Sequence, residues 1–238
     1  MNTQFYPAES RGHADHGWLN TYHSFSFGSY YNPDCMNFGA LRVLNDDTVA
    51  PGRGFGRHPH DNMEIISIPL EGDLKHEDSM GNSGVIREGD VQVMSAGTGI
   101  KHSEFNKNSD HPVKFLQIWI IPDSQNVEPR YDQVSLRELE QKNTFYTFLS
   151  PDKDAGGVWI HQDAWFSMGQ FDKSLDTTYD LHKKSNGLYV FALDGDAEIA
   201  DQELARRDAI GIWNTDAVDF KVKPESRLLL LEVPMDIS

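Results

Sequence analysis

Gly52-Arg-Gly-Phe-Gly-Arg-His58-Pro-His60 runs through Asp-Asn-Met into Glu64-Ile-Ile-Ser-Ile-Pro-Leu70 and closes on Glu71-Gly72-Asp73. A glycine-rich approach, a His-x-His pair, an apolar β-branched run and an acidic-glycine turn thus follow one another directly. Side chains two apart on a strand point to one face, so His58 and His60 project together. Further along the chain, His102-Ser-Glu104 repeats the i, i+2 spacing of ligand-type residues. If the two segments lie on neighbouring or facing strands of a small barrel, three imidazoles and a carboxylate converge on one interior point. Such a His3Glu set suits a divalent transition metal and leaves room for substrate.

The rest of the chain has the rhythm of strands. Short apolar runs recur from about Phe25 to Pro234 with turn residues between them, and a helical period is hard to find. Strands are expected at Gly39–Leu44, Glu64–Leu70, Asp90–Met94 and Lys114–Ile121, separated by Glu71-Gly72-Asp73, Met80–Gly84 and Glu88-Gly89-Asp90. The fold class is all-β, built from hairpins in a sandwich or barrel. After Ile121 a polar stretch, Pro122–Arg130, is bounded by proline and arginine and holds a second proline at 129, which suits a connection between domains. A short helix is expected over 135–142. Strands then resume at Gly157–His161, Gly187–Leu193, Ala209–Trp213 and Arg227–Val233.

The second half reads as a structural repeat of the first, since Leu70-Glu-Gly-Asp73 and Leu193-Asp-Gly-Asp196 each link an apolar strand to the next. We therefore expect two domains, 1–130 carrying the metal and 131–238 without metal ligands. No His-x-His precedes the turn in the second half, and His161 and His182 stand alone as structural or exposed residues.

Charge and composition exclude several classes. The net charge of -16 sets a field that repels a phosphate backbone, and the positive residues are scattered, so direct nucleic-acid binding is not expected. No apolar run approaches the ~20 residues that cross a bilayer. The N-terminus has neither the basic nor the apolar region of a signal peptide, so a cytoplasmic location is expected. The one cysteine, Cys35, has no partner for an internal disulfide, which agrees with a reducing compartment.

Gly52, five residues, His58-Pro59-His60, three residues and Glu64 has the spacing of the first sequence motif of cupin barrels, with Gly72 beyond. Gly99, two residues, His102, three residues and Asn106 has that of the second. Five side chains compete for the metal: His58, His60, Glu64, His102 and Glu104. The motif nominates Glu64, and on an unbroken strand positions 58, 60, 62 and 64 share a face; the same parity turns Glu104 inward beside His102. The residues alone leave both carboxylates open. Imidazole with carboxylate suits Fe(II), Mn, Ni, Co or Zn, and the absence of cysteine argues against a purely structural zinc site.

Pro59 donates no backbone hydrogen bond, so its strand is expected at an edge or a bulge near the barrel mouth. His13, His16 and His23 read as hydrogen-bonded packing residues and His111 as loop. His76, after the first hairpin turn, could approach the site without being counted as a ligand. Phe55, Met63 and Phe105 are candidate cavity walls.

The chain resembles the pirin family of bicupins over nearly its full length. The residues that carry the resemblance are Arg11–Leu19, Phe25–Tyr31, Leu41–Asp46, His58-Pro-His60, His76–Gly81 and Met94–Glu104. The likeness is strong to bacterial pirin-like proteins with quercetin 2,3-dioxygenase activity. It implies two tandem cupin barrels (double-stranded β-helix, jelly-roll) facing each other, with one metal, iron(II) first among the candidates, in the N-terminal barrel. It implies the ligands His58, His60, His102 and Glu104, leaving Glu64 as a neighbouring carboxylate. The implied reaction is opening of a flavonol's heterocyclic ring by dioxygen with release of carbon monoxide, Glu104 or Glu64 taking the 3-hydroxyl proton. The family also contains non-enzymatic regulators, so a metal- or redox-dependent role that binds a protein partner is the rival implication.

Overall fold

The computed structural model describes residues 1–237, and apart from two single-turn 3-10 helices (Ala8–Ser10 and Leu136–Glu138) its regular elements are strands. In the first half these are β1 (Asn2–Tyr6), β2 (Gly12–Asp15), β3 (Leu19–His23), β4 (Leu41–Val49), β5 (Gly54–His60), β6 (Glu64–Glu71), β7 (Leu74–Asp78), β8 (Ser83–Ile86), β9 (Asp90–Ser95), β10 (Ile100–Asn106), β11 (Val113–Ile120) and β12 (Arg130–Ser135). The second half adds β13 (Phe145–Ser150), β14 (Val158–Trp159), β15 (Trp165–Phe171), β16 (Leu175–Asp180), β17 (Asn186–Asp194), β18 (Ala197–Ile199), β19 (Gln202–Leu204), β20 (Ala209–Trp213), β21 (Ala217–Val222) and β22 (Ser226–Pro234).

These strands make two cupin barrels, each a seven-stranded sheet against a four-stranded one. The first pairs the order β12-β9-β6-β11-β4-β3-β2 with β5-β10-β7-β8, and the second pairs β1-β20-β17-β22-β15-β13-β14 with β16-β21-β18-β19. The repeated acidic-glycine turns do equivalent work: Gly72 (φ 75°) and Gly195 (φ 70°) both take the left-handed conformation that a tight reversal needs. At residue 130 the chain does not divide cleanly. β1 is an edge strand of the second barrel, paired with β20, and β12 is an edge strand of the first, paired with β9. The helix expected over 135–142 is only the 3-10 turn Leu136–Glu138, because Ser135 is still extended and paired with Asp90.

The barrels meet through their large sheets. Ile66, Ile68, Leu116 and Ile118 from the first pack with Phe148, Phe166, Leu229 and Leu231 from the second in one continuous core. The sheet of the first barrel is therefore buried on both faces, and period-two alternation assigns each side chain to one of them. Leu116 and Ile118 point to the second barrel, whereas Phe115 and Gln117 point into the first. Among the described residues no helix is long and apolar enough to cross a membrane.

Asp46 fastens the seam. Its Oδ2 lies 3.4 Å from Arg11 Nη1 and 2.8 Å from Arg207 Nε, and both arginine side chains are about nine-tenths buried. Both guanidiniums also lie over the Phe191 ring. Removing the carboxylate strands two buried cations, so Asp46→Ala should lower the unfolding free energy by about 3 kcal/mol in a urea titration. A loss under about 0.5 kcal/mol, the value of an exposed pair, would contradict this role.

Candidate metal centre

β5 and β10 lie side by side in the four-stranded sheet, with His58 opposite His102 and His60 opposite Ile100. β5 is the edge of that sheet, so the N–H that Pro59 lacks costs no ladder bond. A bulge then shifts the register, placing Glu104 opposite Phe55. The close approach of the two strands here requires a glycine: a Cβ on Gly54 would stand 2.1 Å from the Glu104 carbonyl oxygen.

The imidazoles of His58, His60 and His102 converge. Their ring centroids are 4.9 Å (58 to 60), 4.5 Å (58 to 102) and 4.9 Å (60 to 102) apart, and one ligand atom of each lies within 4.8 Å of the others. His58 Nδ1–H donates to the Gly56 carbonyl at 2.8 Å, which fixes the tautomer and leaves Nε2 as the ligand atom. His102 is buried, and neither of its ring nitrogens has a hydrogen-bond partner. Burial first, and the neighbouring imidazoles second, lower His102 to about 2 and His60 to about 4. Both rings are therefore neutral at ordinary pH, the state in which imidazole binds metal.

Glu104 lies on the same face of β10 as His102. Its Oε1 accepts from Ser67 Oγ at 2.8 Å, and its Oε2 accepts from Gln117 Nε2 at 2.7 Å. Burial raises its pKa against these hydrogen bonds and the nearby histidines. Glu104, His102 and His76 form a second group of ligand atoms within 4.8 Å of one another, so two triads share His102. His76 is fully buried opposite Glu104; one ring nitrogen lies 3.2 Å from Asp78 Oδ2, and Nδ1 has no partner. The residues fit a divalent cation. They supply imidazole nitrogens with no other partner and a buried carboxyl group whose charge has no cation to balance it.

The centre opens on a cavity of about 160 Å³. Phe27, Phe55 and Trp119 form its aromatic wall, with Trp119 edge-on to His60 at 4.9 Å. The large sheet contributes Trp119 together with Thr21, His23, Asn45, Asp47 and Gln117. His16 and His23, read from sequence only as packing residues, line this cavity, and His23 Nδ1 also bonds Asn45 Oδ1 at 2.8 Å. The sequence signal for this polar wall is the alternation Val43, Asn45, Asp47, Val49 within an apolar strand.

Two expectations need correction. The chain turns between β5 and β6, with Asn62 at φ 44°, so positions 58 to 64 are not one strand and Glu64 does not share the face of His58 and His60. Alternation on β6 places Glu64 with Ile66 and Ile68 toward the second barrel. There its oxygens accept from Ser95 Oγ at 2.6 Å and from the His161 amide at 3.3 Å, outside both ligand triads. Of the three candidate walls only Phe55 lines the cavity. Met63 packs against the cluster of Ile65 and Met94, and Phe105, at an odd position on β10, is 37% exposed.

Burial, partly offset by the Ser95 and His161 hydrogen bonds, pushes the Glu64 carboxyl up from 4.5 to about 7. Its folded pKa exceeds the unfolded value, so its contribution to stability is complete below pH 4.5 and is lost as pH rises through 7. Relative to Glu64→Gln, the wild type should lose on the order of 3 kcal/mol across that window. Thermal unfolding of both proteins across this range checks it; parallel curves would contradict it.

The family model described as Pirin matches residues 4–120, and one described as the quercetinase C-terminal cupin domain matches residues 147–233. A protein named quercetin 2,3-dioxygenase from Escherichia coli (strain K12) is 38% identical over 227 residues, covering 95% of this chain and 96% of its own. A pirin-like protein from Caulobacter vibrioides is 39% identical over 227 residues, covering 95% of this chain and 97% of its own. The crystal structure of the bacterial pirin YhhW from Escherichia coli, in complex with nickel(II), superposes with a TM-score of 0.92 at 36% identity, covering 98% of this chain and 99% of that one. With both barrels matched in order and relatives aligned nearly from end to end, this chain belongs to the pirin family.

Proposed function

We propose that the protein is a metal-dependent dioxygenase that opens flavonols such as quercetin, with the metal held by His58, His60, His102 and Glu104. The observation that carries this reading is a donor set of neutral imidazoles and a buried carboxyl on one wall of an aromatic-lined cavity. The relatives named quercetin 2,3-dioxygenase support the substrate class, and the nickel(II) complex of the Escherichia coli pirin supports a divalent metal. Fe(II) is the first candidate, with Mn, Ni, Co and Zn sharing the same ligand preferences.

When bound, the metal would supply Lewis acidity that favours the flavonolate anion and would bring substrate and dioxygen together. The chain does the rest. Phe27, Phe55 and Trp119 offer flat apolar surface to a fused ring system and keep water from it. Glu104 accepts the proton of the flavonol 3-hydroxyl. Ser67 and Gln117 hold its oxygens in place for that transfer. Glu64, facing the second barrel, takes no part in this step.

Anaerobic reconstitution with Fe(II), Mn, Co, Ni or Zn, followed by quercetin and air, should bleach the flavonol absorbance and release carbon monoxide with at least one metal. Absence of turnover with all five would defeat the reading. His60→Ala should lower bound metal severalfold by elemental analysis. Glu104→Gln should cut turnover by about 10²–10⁴, the usual contribution of a positioned acid or base. Full activity in Glu104→Gln would remove that residue from the mechanism.

A further inference from the structure

Asp47 is a buried carboxyl group whose side chain interacts with that of Thr21 and with no cation. It sits on β4, opposite Thr21 of β3 and Phe115 of β11, and alternation turns it into the first barrel. It is 4% exposed, it lines the cavity, and its Oδ1 is buried with no hydrogen-bond partner. No lysine or arginine is among the cavity's lining residues. Its sequence neighbour Asp46 points to the opposite face of the sheet and takes both Arg11 and Arg207. A buried oxygen left unpaired costs stability, and such groups persist where binding or chemistry uses them.

The position of Asp47 says what it would meet. His58, His60 and Glu104 come from the four-stranded sheet, whereas Asp47 comes from the seven-stranded sheet across the same cavity. A planar molecule that reaches from the metal ligands across the cavity lays another part of its edge along the β4 wall. We propose that Asp47 is a specificity-determining residue: its carboxyl group, where it borders the cavity, accepts a hydrogen bond from a second, ring-borne phenolic hydroxyl of the substrate. The preferred ligand is therefore a polyhydroxylated flavonol, not one with the 3-hydroxyl alone. The inference rests on the flavonol reading of the cavity and adds to it the feature by which substrates are told apart. A site that hydrogen-bonds a hydroxyl discriminates against an analogue lacking it, because the buried acceptor is then left unsatisfied.

The test is equilibrium binding to metal-loaded protein without oxygen, so that no turnover intervenes, with quercetin and with 3-hydroxyflavone, which lacks the ring hydroxyls. Wild type should bind quercetin at least about tenfold more tightly, the value of one well-placed hydrogen bond. Asp47→Leu, which is near in shape and cannot hydrogen-bond, should bring the ratio close to one mainly by weakening quercetin, with 3-hydroxyflavone affinity within about twofold of wild type. Thermal unfolding checks that the variant folds; Asp47→Ala, which also lacks an acceptor, serves if the leucine variant does not fold, and should narrow the ratio as well. An unchanged ratio in a folded variant overturns the proposal, as does an equal loss for both ligands, which would mark Asp47 as a structural residue. If wild type binds neither flavonol, the substrate class itself is wrong and the proposal falls with it. If it binds both without preference, only the role of Asp47 is refuted.

Discussion

Burial of one sheet on both faces is the constraint on which the molecule depends. The seven-stranded sheet of the first barrel separates an apolar seam from a polar cavity, and adjacent residues on a strand serve opposite sides. On β11, Leu116 and Ile118 complete the core shared with the second barrel, while Gln117 between them holds Glu104. On β6, Ile66 and Ile68 face the seam, while Ser67 between them donates to the same carboxylate. On β4, Asp46 anchors arginines at the seam and Asp47 lines the cavity. A slip of one residue would exchange all of these at once, so the packing of the two barrels and the shape of the site are set by the same register.

The second barrel's large sheet is buried on both faces as well, but its interior is filled differently. Its interior is filled by Phe171, Tyr179, Leu188, Val190 and Phe220. Its buried Glu232 is saturated by Tyr179, by His182 and the Lys183 amide, and by Asn186. Among the described residues, neither group of three metal-ligand side chains lies there. In the first barrel the apolar clusters are small and lie apart, one around Phe115 and Leu74 and another around Ile65 and Met94. The polar residues named above take the remaining interior positions, where uncompensated burial keeps the imidazoles neutral and favours a bound cation.

Much of this was legible in the sequence. Apolar runs with acidic-glycine turns fixed the strands that became β4, β6, β9, β11, β17, β20 and β22, and the two i, i+2 pairs supplied candidate ligands that the fold brings close together. Parity failed at Glu64 because the backbone reverses at Asn62, and spacing alone does not reveal a break between two strands. The exchange of β1 and β12 between barrels was invisible, since β1 pairs with a strand some 200 residues away and local pattern carries no information about such a partner. The cavity's polar wall lay between these cases. Asn45, Asp47, Ser67 and Gln117 stand out as polar interruptions of apolar strands, but only the fold shows that they face one space.

In the proposed function one metal sits where β5 meets β10. Anomalous diffraction at the absorption edge of the bound metal, from crystals of the reconstituted protein, is the sharpest check. One peak per chain is expected, ~2.1 Å from His58 Nε2 and from one ring nitrogen each of His60 and His102, with Glu104 completing the set. A peak held by His76 in place of His58 and His60, or one within the second barrel, would contradict it.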